Sequence, residues 1–259
     1  MSAFDSFDLF NTLFIDIETA PCVQEYEELN EEMQELWILQ FKKEAKKKGH
    51  FFDSDMSADD LELLASENFP LMAGLSAEFS KIVCISVGFL AKTAEEGTLL
   101  RLKSFTSHIE SNLLEDFSEL LKKYFNNPDK QAICGHNIKE FDIPVICRRL
   151  LINQLPFPKM LDISGKKPWE TKHLLDTMEM WKFGDAKGFT TLRLLCAVFD
   201  IPSPKDDISG ADVGQVYWEE RDLDRIATYC EKDVLATVQL FLRLKRLPLL
   251  HPNQVVTVR

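Results

Sequence analysis

The sequence has no long hydrophobic run. No window approaches the roughly 18 apolar residues of a membrane-spanning helix, and the opening segment MSAFDSFDLFNTLFIDIE lacks the basic region and uninterrupted apolar stretch of a signal peptide. The six cysteines include no C-x-x-C pair and no histidine stands at zinc-ligand spacing, so neither a disulfide framework nor a structural zinc is indicated. We therefore predict a cytoplasmic protein that makes no membrane contact.

Positive charge is also scarce. The chain has 30 basic and 42 acidic residues, which gives a formal net charge of −12. This balance argues against a protein that coats nucleic acid by bulk electrostatics, because neutralising phosphates needs clustered Lys and Arg. It does not exclude an enzyme that contacts phosphates through bound metal ions. Apolar residues make up 45% of the 259 positions, so a sizeable core can form.

Hydrophobic periodicity predicts alternating strands and helices. Apolar and β-branched runs predict strands over 11–18, 81–90, 98–105, 132–135 and 174–176. Helical spacing predicts helices over 111–125, 143–153 and about 222–247, with shorter helical segments from 190 onwards. This order of elements is typical of an α/β sheet layered with helices.

Two further features complete the predicted organisation. A turn over 93–97 joins the second and third strands as a hairpin. The charged segment 24–68 has helical apolar spacing and predicts an inserted pair of helices. The simplest account is one domain over 1–259 that carries this insertion.

Two carboxylates stand at the end of the first strand. Asp16 and Glu18 are two residues apart, so their side chains point to the same face of the strand. The C-terminal ends of strands are where α/β sheets form binding crevices, and two acids there repel unless a cation such as Mg²⁺ or Mn²⁺ lies between them. The alternative is that the two acids mark a solvated strand end. Taken alone, the pair is better explained in this way.

Two other segments carry polar groups at structurally significant places. Asp142 follows the Gly-His-Asn turn after the short strand 132–135, and it begins a helix, where an acid also serves as a cap. Tyr229 and Asp233 are four residues apart and share one face of the last helix. Alone, such a pair is more common at a surface or core edge than in a catalytic site.

Together the three segments resemble the DEDD-type 3′–5′ exonucleases of the ribonuclease H-like superfamily. Within that superfamily the chain is similar to the proofreading domain of family B DNA polymerases, over roughly 11–247 and without a polymerase. Stretches 79–88 and 209–213 look like a narrower group of stand-alone predicted exonucleases. The resemblance is carried by Phe14-Ile15-Asp16-Ile17-Glu18-Thr19, by Asn137 through Phe141-Asp142, and by Tyr229-Cys230-x-x-Asp233.

This resemblance implies a ribonuclease H-like mixed sheet flanked by helices. It assigns Asp16, Glu18, Asp142 and Asp233 as ligands of two divalent metal ions, Mg²⁺ or Mn²⁺. It also implies that Tyr229 orients the attacking water. Another subclass has His five residues before the last Asp, and that position is Thr228 here, so the chain is of the tyrosine type.

The resemblance further implies contacts with substrate. The residues expected to face a single strand near its 3′ end are Ile17, Thr19, His136, Asn137 and Phe141. Two of them have plain alternatives, because Phe141 is equally well explained as a core residue and His136 as a turn residue.

Three functions are compatible with these features. The favoured one is a metal-dependent 3′–5′ exonuclease acting on single-stranded DNA, with no membrane partner. An RNA 3′-end exonuclease uses the same chemistry, and a catalytically inactive nucleic-acid-binding module would share the fold. The insertion at 24–68 is a candidate surface for a protein partner, although it could equally cover the active site or only extend the fold.

Overall fold

A six-stranded mixed sheet forms the centre of the computed structural model, which describes residues 8–47, 56–93, 97–185, 187–202 and 207–258. The strands lie in the order β5-β4-β1-β2-β3-β6. β2 runs antiparallel to both β1 and β3, whereas β4 is parallel to β1 and β5. The strands are β1 (Thr12–Pro21), β2 (Ser80–Thr93), β3 (Gly97–Thr106), β4 (Ala132–Gly135), β5 (Leu174–Asp176) and β6 (Val255–Thr257).

Helices cover both faces of this sheet. They are α1 (Glu31–Lys47), α2 (Ala58–Glu67), α3 (Phe69–Met72), α4 (Glu110–Tyr124), α5 (Asp142–Ile152), α6 (Thr177–Lys182), α7 (Leu192–Val198), α8 (Val213–Gln215) and α9 (Leu223–Leu244). A π-helical turn, Val216–Glu220, lies between α8 and α9. Within the described ranges, none of the helices combines the length and hydrophobicity needed to cross a membrane.

The two faces of β1 belong to two separate cores. Leu13, Ile15 and Ile17 are buried in one hydrophobic cluster with side chains of α4 and α5. Phe14 points the other way and meets Phe241 of α9 edge to face, with ring centroids 5.4 Å apart. This alternation is the period of two that a strand imposes.

α9 packs closely on the sheet because β2 offers it a glycine. A Cβ placed on Gly88 would lie 2.9 Å from Cγ1 of Val234 on α9, closer than real Cβ contacts occur. Asp222 caps the helix by accepting a hydrogen bond from the backbone N–H of Arg225. The close approach sets the distance between the middle of α9 and β2.

The segment between β1 and β2 forms a small aromatic core of its own. The Trp37 ring packs edge to face against Phe69 and Phe79, at centroid distances of 5.1 and 5.2 Å, and its Nε1–H donates to the carbonyl oxygen of Ala65 at 2.8 Å. Phe79 directly precedes β2, and the Thr19 hydroxyl of β1 donates to the carbonyl oxygen of Gly74 at 2.7 Å. The insertion is therefore packed on the domain.

The observed architecture confirms the predicted α/β fold class, including the helical insertion near 24–68. The predicted turn at 93–97 includes residues 94–96, which lie outside the described residues. The last helix ends at Leu244 and not near 247, because Arg246 adopts a left-handed φ of 58° and Pro248 follows. Helix α4 begins at Glu110, one residue before the predicted 111.

Candidate active site

Asp16 and Glu18 lie side by side on the α9 face of β1. Glu18 is buried and Asp16 is half-buried. Burial raises the pKa of Asp16 well above its ordinary value, and the charges of Asp142 and Asp233 raise it further. Burial raises the pKa of Glu18 in the same way, followed by the charge of Asp16. Three separate elements therefore direct carboxylates at one place.

A local irregularity marks the end of this strand. The pairing of β1 with β2 is regular up to Glu18 opposite Cys84 and then shifts, so that Thr19 stands opposite Ile82. Such bulges bend a strand and re-aim its side chains, and they are common beside active sites. The two acids are thus the last residues of the regular ladder.

Asp142 is the first residue of α5 and is buried. Burial raises the pKa of its carboxyl from 3.8 to about 7, and the charge of Asp176 adds to the rise. Hydrogen bonds from the backbone amides of Asp142 itself and of Ile17 act in the opposite direction. The bond from Ile17 shows that the first turn of α5 lies directly against β1.

Tyr229 and Asp233 project from one face of α9 towards the same carboxylates. The Tyr229 hydroxyl lies close enough to Asp233 and Glu18 for their charges to act on it. Burial and the charges of Asp233 and Glu18 raise the pKa of the phenol above its ordinary value. The hydroxyl therefore stays protonated at neutral pH.

A thiol that sequence reasoning did not single out lies against Asp16. The Sγ atom of Cys230 is 3.4 Å from both Oδ2 and the carbonyl oxygen of Asp16. Potential ligand atoms of Asp16, Glu18 and Cys230 all lie within 4.8 Å of one another. Helical phase could have found it, because Cys230 is four residues from both Ile226 and Val234 on the buried stripe of α9.

A tight turn after β4 places Asp142. Gly135 is required there, since a Cβ would lie 2.0 Å from Cγ2 of Ile138 and 2.8 Å from the carbonyl oxygen of Ile15. Asn137 adopts a left-handed φ of 64°. At Gly135 the backbone of β4 and that of β1 approach too closely for a side chain.

His136 joins this turn to the segment after β5. Its Nδ1 lies 2.9 Å from Oγ1 of Thr177, and its Nε2 lies 2.8 Å from the carbonyl oxygen of Thr190. Both ring nitrogens therefore have partners within the protein. The structure places His136 beside the motif, in a role that holds the turn.

Asp176 holds the same turn from the other side. Its buried carboxylate accepts hydrogen bonds from the backbone amides of Asn137 at 2.9 Å and Lys139 at 3.1 Å. The same carboxylate caps α6 by accepting from Met178 at 2.9 Å. A long-range contact between β4 and β5 creates this arrangement, and no local sequence signal reports it.

The other residues expected to contact substrate fall into two groups. The side chains of Ile17 and Phe141 pack against the α4 and α5 core, and the Thr19 hydroxyl donates to the carbonyl oxygen of Gly74. In contrast, the Oδ1 atom of Asn137 is buried with no hydrogen-bond partner among the described residues. An orphaned buried acceptor beside the carboxylates is a group that a bound ligand could satisfy.

The donor set fits a hard divalent cation. Four carboxylates bring oxygen atoms to one place, and oxygen ligands are those that Mg²⁺ and Mn²⁺ prefer. A cation would offset the repulsion and desolvation that raise the pKa values of Asp16, Glu18 and Asp142. Sheet order, helical layers and this acidic centre define a ribonuclease H-like domain of the polymerase-exonuclease class.

Comparison with known families gives the same assignment. The sequence model of the family described as "Predicted 3'-5' exonuclease related to the exonuclease domain of PolB" matches residues 74–249, and the chain belongs to this family. The match contains Asp142, Tyr229 and Asp233 but begins after β1. In the structure, Asp16 and Glu18 lie close to the matched residues Asp142 and Asp233.

A solved structure shows the same fold. It is that of the family B DNA polymerase from the hyperthermophilic archaeon Pyrobaculum calidifontis, to which the chain is similar with a TM-score of 0.55 and 15% identity. The alignment covers 90% of this chain and 24% of the polymerase chain. The chain thus spans about a quarter of that protein's length. Among curated proteins, no sequence matches.

Proposed function

We propose that this protein is a metal-dependent 3′–5′ exonuclease that hydrolyses terminal phosphodiester bonds of single-stranded DNA. The observation that carries the proposal is the meeting of Asp16, Glu18, Asp142 and Asp233, with Tyr229 beside them, at the end of β1. A binding module would gain nothing from four clustered acids, because they repel phosphates. In hydrolysis assisted by divalent ions, these acids would serve as the metal ligands.

The four carboxylates would hold two divalent ions, Mg²⁺ or Mn²⁺. When bound, such ions stabilise the charge on the attacking and leaving oxygens of a phosphodiester. The protein supplies the position and the net charge of the ligand set. It does so from one strand and two helices whose mutual packing is fixed by Gly88 and Gly135.

Tyr229 would orient the attacking water. Its hydroxyl lies near Asp233 and Glu18, and the phenolic oxygen can accept a hydrogen bond from that water. Because the pKa of the phenol is raised, Tyr229 acts by position and does not act as a base at neutral pH.

Hydrogen bonds behind the ligands would keep them in place. The Cys230 thiol donates to Asp16, and Asp176 holds the turn that leads to Asp142. Groups of this kind orient metal ligands and commonly matter almost as much as the ligands themselves. The same turn presents the unpartnered Oδ1 atom of Asn137, which would accept a hydrogen bond from the substrate end.

The assay that tests this function uses a 5′-labelled single-stranded DNA and the matching RNA, with Mg²⁺, Mn²⁺ or EDTA. We expect a ladder that shortens from the 3′ end, requires metal and disappears in the Asp16→Ala, Glu18→Ala double variant. The matched control is Glu115→Ala, Asp116→Ala, which removes two exposed acids from α4 on the opposite face of the sheet.

The outcomes separate the candidate functions. Faster shortening of DNA supports the proposal, whereas faster shortening of RNA assigns the alternative substrate. No cleavage with either metal, together with equal strand binding by wild type and double variant, would favour a binding module. A protein partner at 24–68 and a cytoplasmic location stay predictions.

A further inference from the structure

Two exposed phenylalanines stand next to the turn that carries Asp142. Phe183 has 80% of its surface exposed and Phe189 has 66%. Phe183 is the most exposed of the large hydrophobic side chains among the described residues, and Phe189 is also near the top of that range. Both lie in the segment that connects α6 to α7.

Each phenylalanine is one residue away from a contact with that turn. The Lys182 ammonium lies 3.6 Å from a carboxylate oxygen of Glu140, and the carbonyl oxygen of Thr190 lies 2.8 Å from Nε2 of His136. The chain on the near side of each phenylalanine is therefore tied to the segment 136–142 that leads to Asp142.

The charge of this segment differs from that of the chain. Between 182 and 193 there are three basic residues, Lys182, Lys187 and Arg193, and one acid, Asp185, on a protein whose net charge is −12, and Lys182 is paired with Glu140 outside the segment. A local excess of basic residues attracts phosphates even when the whole molecule repels them.

The backbone adds a separate indication. Phe183 adopts a left-handed φ of 44° at the end of α6, a conformation that costs energy for a bulky side chain. Gly184 follows with a φ of 92° and would have occupied the left-handed position at less cost.

We propose that Phe183 and Phe189 form an aromatic platform on which bases of a single-stranded nucleic acid stack as its 3′ end enters the active site. The inference rests on the proposed function and adds a substrate subsite to it. Stacking suits a nuclease that must accept any sequence, because every base has a π-face. Lys187 and Arg193 contact the phosphates between the stacked bases.

The test measures binding separately from cleavage. A 5′-fluorescein oligothymidylate of about 12 nucleotides is titrated with protein in EDTA, and its fluorescence anisotropy gives the dissociation constant. The variants are Phe183→Ala, Phe189→Ala and Phe189→Trp. The control is Tyr124→Ala, which removes another exposed aromatic side chain from the far end of α4.

We expect each alanine variant to weaken binding by about tenfold, and Phe189→Trp and Tyr124→Ala to bind like wild type. With metal present, KM for the oligonucleotide should rise in the alanine variants while kcat stays the same. Since Phe189 does not have a positive φ, its variants report stacking even if Phe183→Ala disturbs the end of α6. Thermal unfolding verifies that each variant is folded.

Unchanged binding in folded Phe189→Ala would overturn the platform, as would an equal loss in Tyr124→Ala. If wild type degrades DNA and the alanine variants bind it normally, the platform is wrong and the exonuclease proposal stands. If binding depends on Phe183 and Phe189 but no metal supports cleavage, the platform stands and the exonuclease proposal fails.

Discussion

The two faces of β1 belong to one ten-residue strand and have opposite effects on stability. On one face Leu13, Ile15 and Ile17 disappear into an apolar core, where burial stabilises the fold. On the other face Asp16 and Glu18 are also withdrawn from water, and there burial raises their pKa values and costs stability. Depth of burial alone therefore does not distinguish a structural face from a functional one.

The largest expected effect comes from the acidic face. Asp16→Asn keeps the size of the side chain and removes one charge, so we expect hydrolysis to fall by about a thousandfold or more. The free energy of unfolding in EDTA should stay equal to that of wild type or rise, because repulsion with Asp142 and Asp233 is relieved. Single-turnover cleavage and urea unfolding measure the two quantities. Full activity of Asp16→Asn would show that the acidic face of β1 is not needed for hydrolysis.

The opposite face should give the opposite pattern. Ile15→Ala leaves a cavity between β1 and the α4 and α5 core, which we expect to lower the free energy of unfolding by about 2–5 kcal/mol. Cleavage per folded molecule should change little, since no ligand side chain is removed. Urea unfolding with an active-site titration tests this. A stable variant with impaired chemistry would show that the two faces are coupled.

A smaller effect is expected on α9, which covers the acidic face. Tyr229→Phe removes the hydroxyl that lies near Asp233 and Glu18, and we expect kcat to fall about a hundredfold while metal affinity is kept. Tyr217→Phe is a comparison variant on the preceding π-helical turn. An equal fall in both variants would point to loosened packing and not to a positioned water.

The smallest effect is on the pH dependence of stability without metal. The pKa of Asp142 is about 7 in the folded protein against an ordinary 3.8, so between these values the folded state holds a proton that the unfolded chain has lost. Stability should therefore decrease as pH rises from about 4 to about 7, by on the order of 1 kcal/mol per pH unit, and level off at higher pH. Asp142→Asn should flatten the decrease, and Mn²⁺ should reverse it at the higher pH. A stability that rises over this range would contradict the assignment.

The same comparison explains what could be predicted from the sequence. The period of a strand predicts that Asp16 and Glu18 share one face. The period of a helix predicts the same for Tyr229 and Asp233. Both periods are local properties of the sequence. The sheet and most helix bounds follow for the same reason. The resemblance to a known family then connected segments that local periodicity leaves separate.

The features that were missed depend on distant contacts. Asp176 supports the turn before Asp142 only because β5 lies beside β4, and Cys230 meets Asp16 only because α9 lies close to β1. Strand β6 has three residues and was too short for a periodic signal. His136 is an ordinary turn residue in the sequence, and the structure is needed to show that Thr190 is its partner.

The central claim is that the acidic face of β1 holds divalent ions. The most direct test is Mn²⁺ binding followed by electron paramagnetic resonance, in wild type and in the Asp16→Asn, Asp142→Asn double variant. We expect wild type to remove Mn²⁺ from the free signal and the folded double variant to leave that signal unchanged. Equal binding by the two proteins would contradict the claim.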